Sequence, residues 1–478
     1  MGPDPARVWP SFLLAPPRPF ESSPRTAPRV PTGTRCYNSA MPVRTALSRR
    51  APAHRRAAAP LAAVLTLAIA SAFAVPRVPV PPENPITEPK RVLGKILFWD
   101  EQLSSDDTVA CGTCHRPAHG GADPRVGRHP GNDPGTIDDV LGSPGIVSLD
   151  RDGRPVKHPI FGYEPQVTAR AAPANFGALW ASELFWDGRA SGVFRNPISG
   201  EILIERYGAL ESQAAATLMN DAEMSKRGRT WDELTKKLER VRPLALATDW
   251  PADVREALET YGDYPALFAA AFGTPEITPA RIAFALAAYQ RTLVADRTPW
   301  DRYQDGDDTA LGEAERRGWE VFKAQRCIAC HVPPLFTNDD FFNIGVRPSA
   351  EDPGRAGVTG RTEDAGDMKV PSLRNVGLRP RFMHTGRFTS LGEAIGFYRT
   401  GAPSAERDNL PDGSTYTFNM TATMERDLFE FLKNALTDPR VRDEAFPFDR
   451  PRLASERGHE TLTSGPAGRA STETETTQ

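Results

Sequence analysis

The chain has 478 residues, 39% of them hydrophobic and 25% charged, which is ample material for a folded core and more than one average domain. Disorder throughout is excluded, and 46 Pro with 38 Gly demand many loops but show no collagen, coiled-coil or barrel pattern. The formal charge of -3 divides into +8 over residues 1–74 and -11 over 75–478, and so acidic a body disfavours a nucleic-acid partner.

In chain order, the first readable element starts at Met41. MPVRTALSRRAPAHRR is basic, AAAPLAAVLTLAIASAFA is apolar, and VPRVPVPPENP is a proline-rich spacer, the order of a secretory signal peptide. Ala72 and Ala74 supply the small residues that place cleavage after Ala74. The alternative is an uncleaved anchor helix, the one route by which the protein would touch a membrane, but the run is short and Ala-rich for a spanning segment. Residues 1–40, Pro- and Arg-rich ahead of a complete signal, read as a spurious N-terminal extension, which leaves 41–74 as the signal peptide. The mature protein is expected to begin at Val75 and to be periplasmic.

Beyond it, apolar residues at helical spacing recur over 208–219, 252–271, 278–294, 311–324 and 423–436, whereas alternating strand patterns are lacking. The mature body is therefore expected to be mainly α. Thr278 before Pro279, and Ser390 before Glu393, mark helix starts. Residues 117–175 are rich in Gly, Pro and Asp without periodicity and read as a long loop region. A polar break over 301–310 divides the body into 75–305 and 306–451, and the polar, low-complexity run 452–478 is expected to be a disordered tail.

Of five cysteines, Cys36 lies ahead of the mature chain and the other four fall in two motifs, Cys111-Gly-Thr-Cys114-His115 and Cys327-Ile-Ala-Cys330-His331. Both are C-x-x-C-H, the pattern that attaches a c-type haem through two thioether bonds and supplies an axial His. A thioredoxin-like dithiol or a shared zinc site are the competing readings, and neither predicts a His directly after both pairs. Two covalently bound c-type haems serve either an electron carrier or an enzyme.

The flanking sequence addresses that choice. LGKILFWDEQLSSDDTVACGTCH, ELFWDGRA, YPALFAAAFG with ITPARIAFALAAYQRTL, and KVPSLRNVGLRPRFMHTGRFTSLGEAIGFY resemble, in order, signatures of the bacterial di-haem cytochrome c peroxidase and MauG superfamily. The resemblance runs from about residue 91 to 436. It implies two cytochrome c-like helical domains, a peroxidatic haem on His115 and an electron-transfer haem on His331. Hydrogen peroxide is the implied substrate, with a small redox protein as donor or an oxidisable protein as the substrate of a MauG-like modification.

By the same resemblance the distal acid, in LESQAAATLMNDAEM, is Glu223, and the tryptophan between the haems is Trp186. A carboxylate suits the first role because it takes a proton from peroxide and returns it to the departing oxygen. The bland readings are a solvated Glu and an ordinary core Trp. The segment SGVFRNPISGEILIERYG is an insertion relative to the family and strains the register on which Glu223 depends. Fourteen residues after His384, where methionine-type peroxidases carry Met, the chain has Tyr398, as MauG-type enzymes do. Tyr favours oxidised iron where Met raises its potential, and a packed aromatic, or ligation by Met383 or Met420, is the alternative.

Two departures complete the comparison. Sixteen residues beyond His115, where many members hold a blocking His, stands Gly131, with His129 and His119 nearby. The family's calcium uses an Asn in R-N-x-P, but the chain reads Arg170-Ala171-Ala172-Pro173, leaving backbone carbonyls near Arg379 and Arg381, so calcium is not expected to bind well.

Overall fold

The protein is described by a computed structural model over residues 74–401 and 417–457. The extension at 1–40, nearly all of the signal peptide and the tail from 458 onward lie outside the described residues.

The first half is organised around the helix Glu88–Trp99, which periodicity does not flag. Thr87 caps it by accepting the Lys90 N–H, and every residue from Lys90 to Trp99 is buried, so no polar face exists to be read. Its buried cations are matched elsewhere: Arg91 and Lys95 reach Asp253 at 2.8 and 3.0 Å, and Lys95 also meets Asp449 at 3.0 Å. The helix packs along Pro279–Gln290, and the crossing is so close that a Cβ at Gly94 would lie 1.9 Å from the Ala285 carbonyl oxygen. Pro279–Gln290 begins where expected, with the Thr278 hydroxyl accepting the Arg281 N–H, and it also supports Ala209–Leu218. Behind those two helices Glu211 and Arg291 form a buried bidentate pair at 2.6 and 2.8 Å.

The second half repeats the device. Glu313–Ala324 crosses Ala422–Glu430 at Gly318, where a Cβ would sit 2.0 Å from the Asp427 carbonyl oxygen. Leu391–Thr400 starts at Ser390, whose hydroxyl accepts the Glu393 N–H while the Glu393 carboxylate accepts the Ser390 N–H. The expected run 252–271 is two helices, Ala252–Tyr261 and Tyr264–Phe272, because Gly262 ends the first with positive φ and Asp263 caps the second. Trp231–Leu238 and Pro299–Gln304 are further helices that periodicity does not reveal, the latter running into the expected polar break.

Among the described residues strands are short and paired only in twos. Gly127–His129 with Val140–Gly142, and Pro144–Val147 with Pro165–Val167, brace the long loop region. The insertion is a hairpin of Phe194–Arg195 with Ile202–Ile204, anchored where Phe194 and Ile204 bury against Ala283.

Two main hydrophobic cores result. One gathers residues of the Glu88–Trp99 and Pro279–Gln290 helices, and the other gathers Trp300, Phe322, Phe336, Phe431 and their neighbours. Val441, Phe448 and Leu453 return from the end of the described chain to the first core. The expected tail is therefore corrected at its start. Arg452 exchanges backbone hydrogen bonds with Thr248, Leu453 is buried, and Glu456 pairs with Arg116 and Arg450, so 452–457 are ordered by apolar burial and ion pairing despite their polar composition. Among the described residues no helix is long and apolar enough to cross a membrane.

Candidate functional site

Both C-x-x-C-H motifs open onto cavities. The first is a short helical turn, Cys111–Cys114, whose start is held by the Thr113 hydroxyl accepting the Ala110 N–H at 2.8 Å. Arg116 Nε donates back to the Gly112 carbonyl at 2.9 Å, and the His115 N–H reaches the Cys111 carbonyl. His115 Nδ1 lies 3.0 Å from the Gly121 carbonyl oxygen. A carbonyl only accepts, so a ring N–H faces Gly121, and the same imidazole also meets the Pro173 backbone. Burial holds this imidazole below the ordinary His range and keeps it neutral.

The second motif repeats the arrangement in a tighter turn, Cys327–Ala329. Its His331 N–H donates to the Cys327 carbonyl, and Nδ1 lies 3.1 Å from the Phe336 carbonyl oxygen. Burial lowers His331 to about 4. The four cysteines form no disulfide, and burial pushes Cys111 up to about 12 and Cys327 to about 11. Burial acts on these thiols more strongly than the Arg125 guanidinium, which lies 3.3 Å from Cys114 Sγ. The two pairs also face separate cavities, against a shared zinc site, and no cluster of three or more metal-ligating side chains occurs among the described residues.

The first cavity measures about 710 Å³ and is walled by Cys111, Cys114, His115, Trp186 and Glu223. Asn220 Nδ2 donates to Glu223 Oε1 at 3.0 Å, and Thr217 also bonds the carboxylate. Burial raises the Glu223 carboxyl above the usual range, while the Arg189 guanidinium and the Thr217 bond oppose that rise. Arg189 in turn lies over the Phe185 ring at 3.6 Å. Glu223 thus lines the cavity despite the insertion, whose hairpin is anchored against Ala283 ahead of the helix Ala209–Leu218. His129 also lines this cavity, whereas His119 does not, and the Gly131 N–H is engaged by Asp139.

The second cavity, about 200 Å³, is walled by Cys327, Cys330, His331, Met383, Tyr398 and Met420. The Tyr398 phenol is raised above its ordinary value by burial first and by the nearby Cys327 and Cys330 sulfurs second. Trp186 lines both cavities. Its Nε1 donates to the Ala171 carbonyl at 2.8 Å, the Ala171 N–H donates to the His384 carbonyl at 2.7 Å, and the Trp186 and His384 rings meet edge to face at 6.2 Å. His384 was useful in sequence only as a counting point. Its contact with Trp186, and the roles of Asn220, Thr217 and Arg379, leave no motif to find.

In donor set and His orientation both sites fit a haem held at each motif. The residues at the junction do not fit calcium. Ala171 has no side-chain oxygen and its carbonyl is taken by Trp186, while the Ala172 carbonyl is taken by Arg379 Nη2 at 3.1 Å.

The sequence model of the family described as di-haem cytochrome c peroxidase matches residues 88–309. The methylamine utilization protein MauG of Methylophilus methylotrophus is 30% identical over 364 residues, covering 75% of this chain and 85% of that protein. The cytochrome c551 peroxidase of Pseudomonas aeruginosa is 28% identical over 322 residues, covering 65% and 72% respectively. Among solved structures, a MauG-like protein associated with microbial copper homeostasis is 26% identical with a TM-score of 0.54, covering 78% of this chain and 96% of that one. With a cavity walled by each motif and relatives matched over most of their length, the chain belongs to the di-haem cytochrome c peroxidase family and is a di-haem peroxidase-like oxidoreductase.

Proposed function

We propose that this protein reduces hydrogen peroxide in the first cavity and draws the electrons through the second, with one c-type haem bound covalently in each of the halves 75–305 and 306–451. The observation that carries the reading is that both cavities present a complete C-x-x-C-H beside an imidazole whose Nδ1 is committed to a backbone carbonyl. Cys111 with Cys114, and Cys327 with Cys330, would form the thioether links, and His115 and His331 would be the proximal ligands. When bound, the two haems supply redox-active iron, for peroxide in the first cavity and for electron relay in the second.

The chain's own residues do the rest. Glu223, held by Asn220 and Thr217, accepts a proton from entering peroxide and returns it to the departing oxygen. Its raised affinity for protons suits an acid that must also release one near neutral pH. Trp186 joins the two cavity walls and offers an indole path between them. Tyr398 is assigned as the second ligand of the C-terminal haem, ahead of Met383 and Met420. That assignment favours the MauG-like variant of the function, in which peroxide reacts with the fully ferric protein and the electrons come from an oxidisable protein partner. The rival remains a peroxidase fed by a small redox protein. Export, with cleavage behind Ala74, completes the proposal because c-type attachment takes place outside the cytoplasm.

Haem stain that survives denaturation, with a mass gain of two haems on the mature chain, is the expected result. A gain of one or none overturns the reading.

A further inference from the structure

Between the two cavities lies a cation that belongs to the chain. Arg379 lines the second cavity, and its positive charge is felt at His115 in the first. Its stem lies on the loop of the first motif, since a Cβ at Gly120 would be 3.0 Å from Arg379 Cγ, and Gly121 is the residue whose carbonyl orients His115. The guanidinium then spans the junction: Nη2 donates to the Ala172 carbonyl at 3.1 Å and Nε to the Arg381 carbonyl at 3.3 Å. Among the described residues no carboxylate forms an ion pair with it, and the one influence on its proton affinity is burial, which brings it down to about 10 and leaves it charged at neutral pH.

We infer that Arg379 is a built-in replacement for the metal ion of this junction, a positioning residue that ties the 170–173 segment to the 379–381 segment and makes the protein independent of calcium. Three features act together. Ala171 removes the side-chain oxygen that a calcium ion would use. The Arg381 carbonyl, one of the backbone oxygens the resemblance offers to calcium, already accepts a hydrogen bond from Arg379, as does the nearby Ala172 carbonyl. A fixed positive charge at the same place repels a divalent ion. A planar fork of donors is suited to holding two carbonyls at once, which a lysine ammonium does less well.

The inference rests on the two-haem reading, so haem content is measured first and separates a failure of that reading from a failure of this one. The holoprotein is then assayed for calcium by elemental analysis and dialysed against EGTA. Substoichiometric calcium is expected, with unchanged visible spectra, midpoint potentials, thermal midpoint and peroxide rate. Stoichiometric calcium, or any loss that added calcium restores, overturns the inference. In a second arm, Arg379→Gln should lower the midpoint potential of at least one haem, because a nearby positive charge favours the reduced iron, while Arg379→Lys should recover part of that shift. Equal potentials in wild type and both variants would overturn the charge role. If Arg379→Gln does not fold, the chelation arm alone decides.

Discussion

Over residues 184–190 the chain reads Leu-Phe-Trp-Asp-Gly-Arg-Ala, and over 382–388 it reads Phe-Met-His-Thr-Gly-Arg-Phe. Both segments close on an antiparallel bridge, Leu184 to Ala190 and Phe382 to Phe388, and both take positive φ at the second and fifth residues, Phe185 with Gly188 and Met383 with Gly386. The same loop thus presents Trp186 on one side and His384 on the other, and these two rings meet. What differs is the far wall. In the first half a hairpin and a helix lead to Glu223 and a cavity of about 710 Å³; in the second a helix follows at once, bringing Tyr398 into a cavity of about 200 Å³. One backbone plan has been given space and a buried carboxylate on one side, and close-packed aromatic and sulfur groups on the other.

Substitutions can break that comparison at its strongest point. Glu223→Gln keeps the size of the side chain but not its proton exchange, and the reaction with peroxide should slow by about 100- to 10,000-fold while both haem spectra persist. In the wild type the rate should rise with pH as Glu223 ionises, with a midpoint above the ordinary glutamate range because burial raises this carboxyl. Stopped-flow traces across pH would show the limb, and its survival in the Gln variant would move the role to another acid.

A stability difference between the halves comes next. Glu211→Ala strands the buried Arg291 charge in the first half and should cost about 3–5 kcal/mol of unfolding free energy. Asp427→Ala in the second half leaves Arg317, which is half-exposed and can return to water, so the loss should be smaller. Equal denaturation midpoints for the two variants would contradict the contrast.

The gentlest test concerns the second cavity alone. Tyr398→Phe should raise the potential of the C-terminal haem and change its spectrum with both thioether attachments intact. A high-potential histidine/methionine spectrum in the wild-type protein would transfer the ligand role to Met383 or Met420.

The sequence was most readable where local chemistry decides the structure. The caps at Thr278 and Ser390 and the two C-x-x-C-H motifs depend on neighbours a few residues away. Glu88–Trp99 escaped because ten of its twelve residues are buried, with cations neutralised by Asp253 and Asp449 more than 150 residues distant. For the same reason the orientation of Glu223 by Asn220 and Thr217 is partly local, whereas the grip of Arg379 on Ala172 spans the two halves and has no pattern within either.

The return of Val441, Phe448 and Leu453 to the first core makes that core depend on both ends of the mature chain. A chain that emerges from its N-terminus delivers the Glu88–Trp99 and Pro279–Gln290 helices long before the residues that finish packing around them. The half that carries the first cavity is completed by the end of the described chain, where Arg452 pairs with Thr248 and Glu456 reaches Arg116 beside the first motif. The last described residues therefore clamp Arg116, whose Nε holds the Gly112 carbonyl, so that loss of residues 452–457 would loosen the turn that carries Cys111 and Cys114.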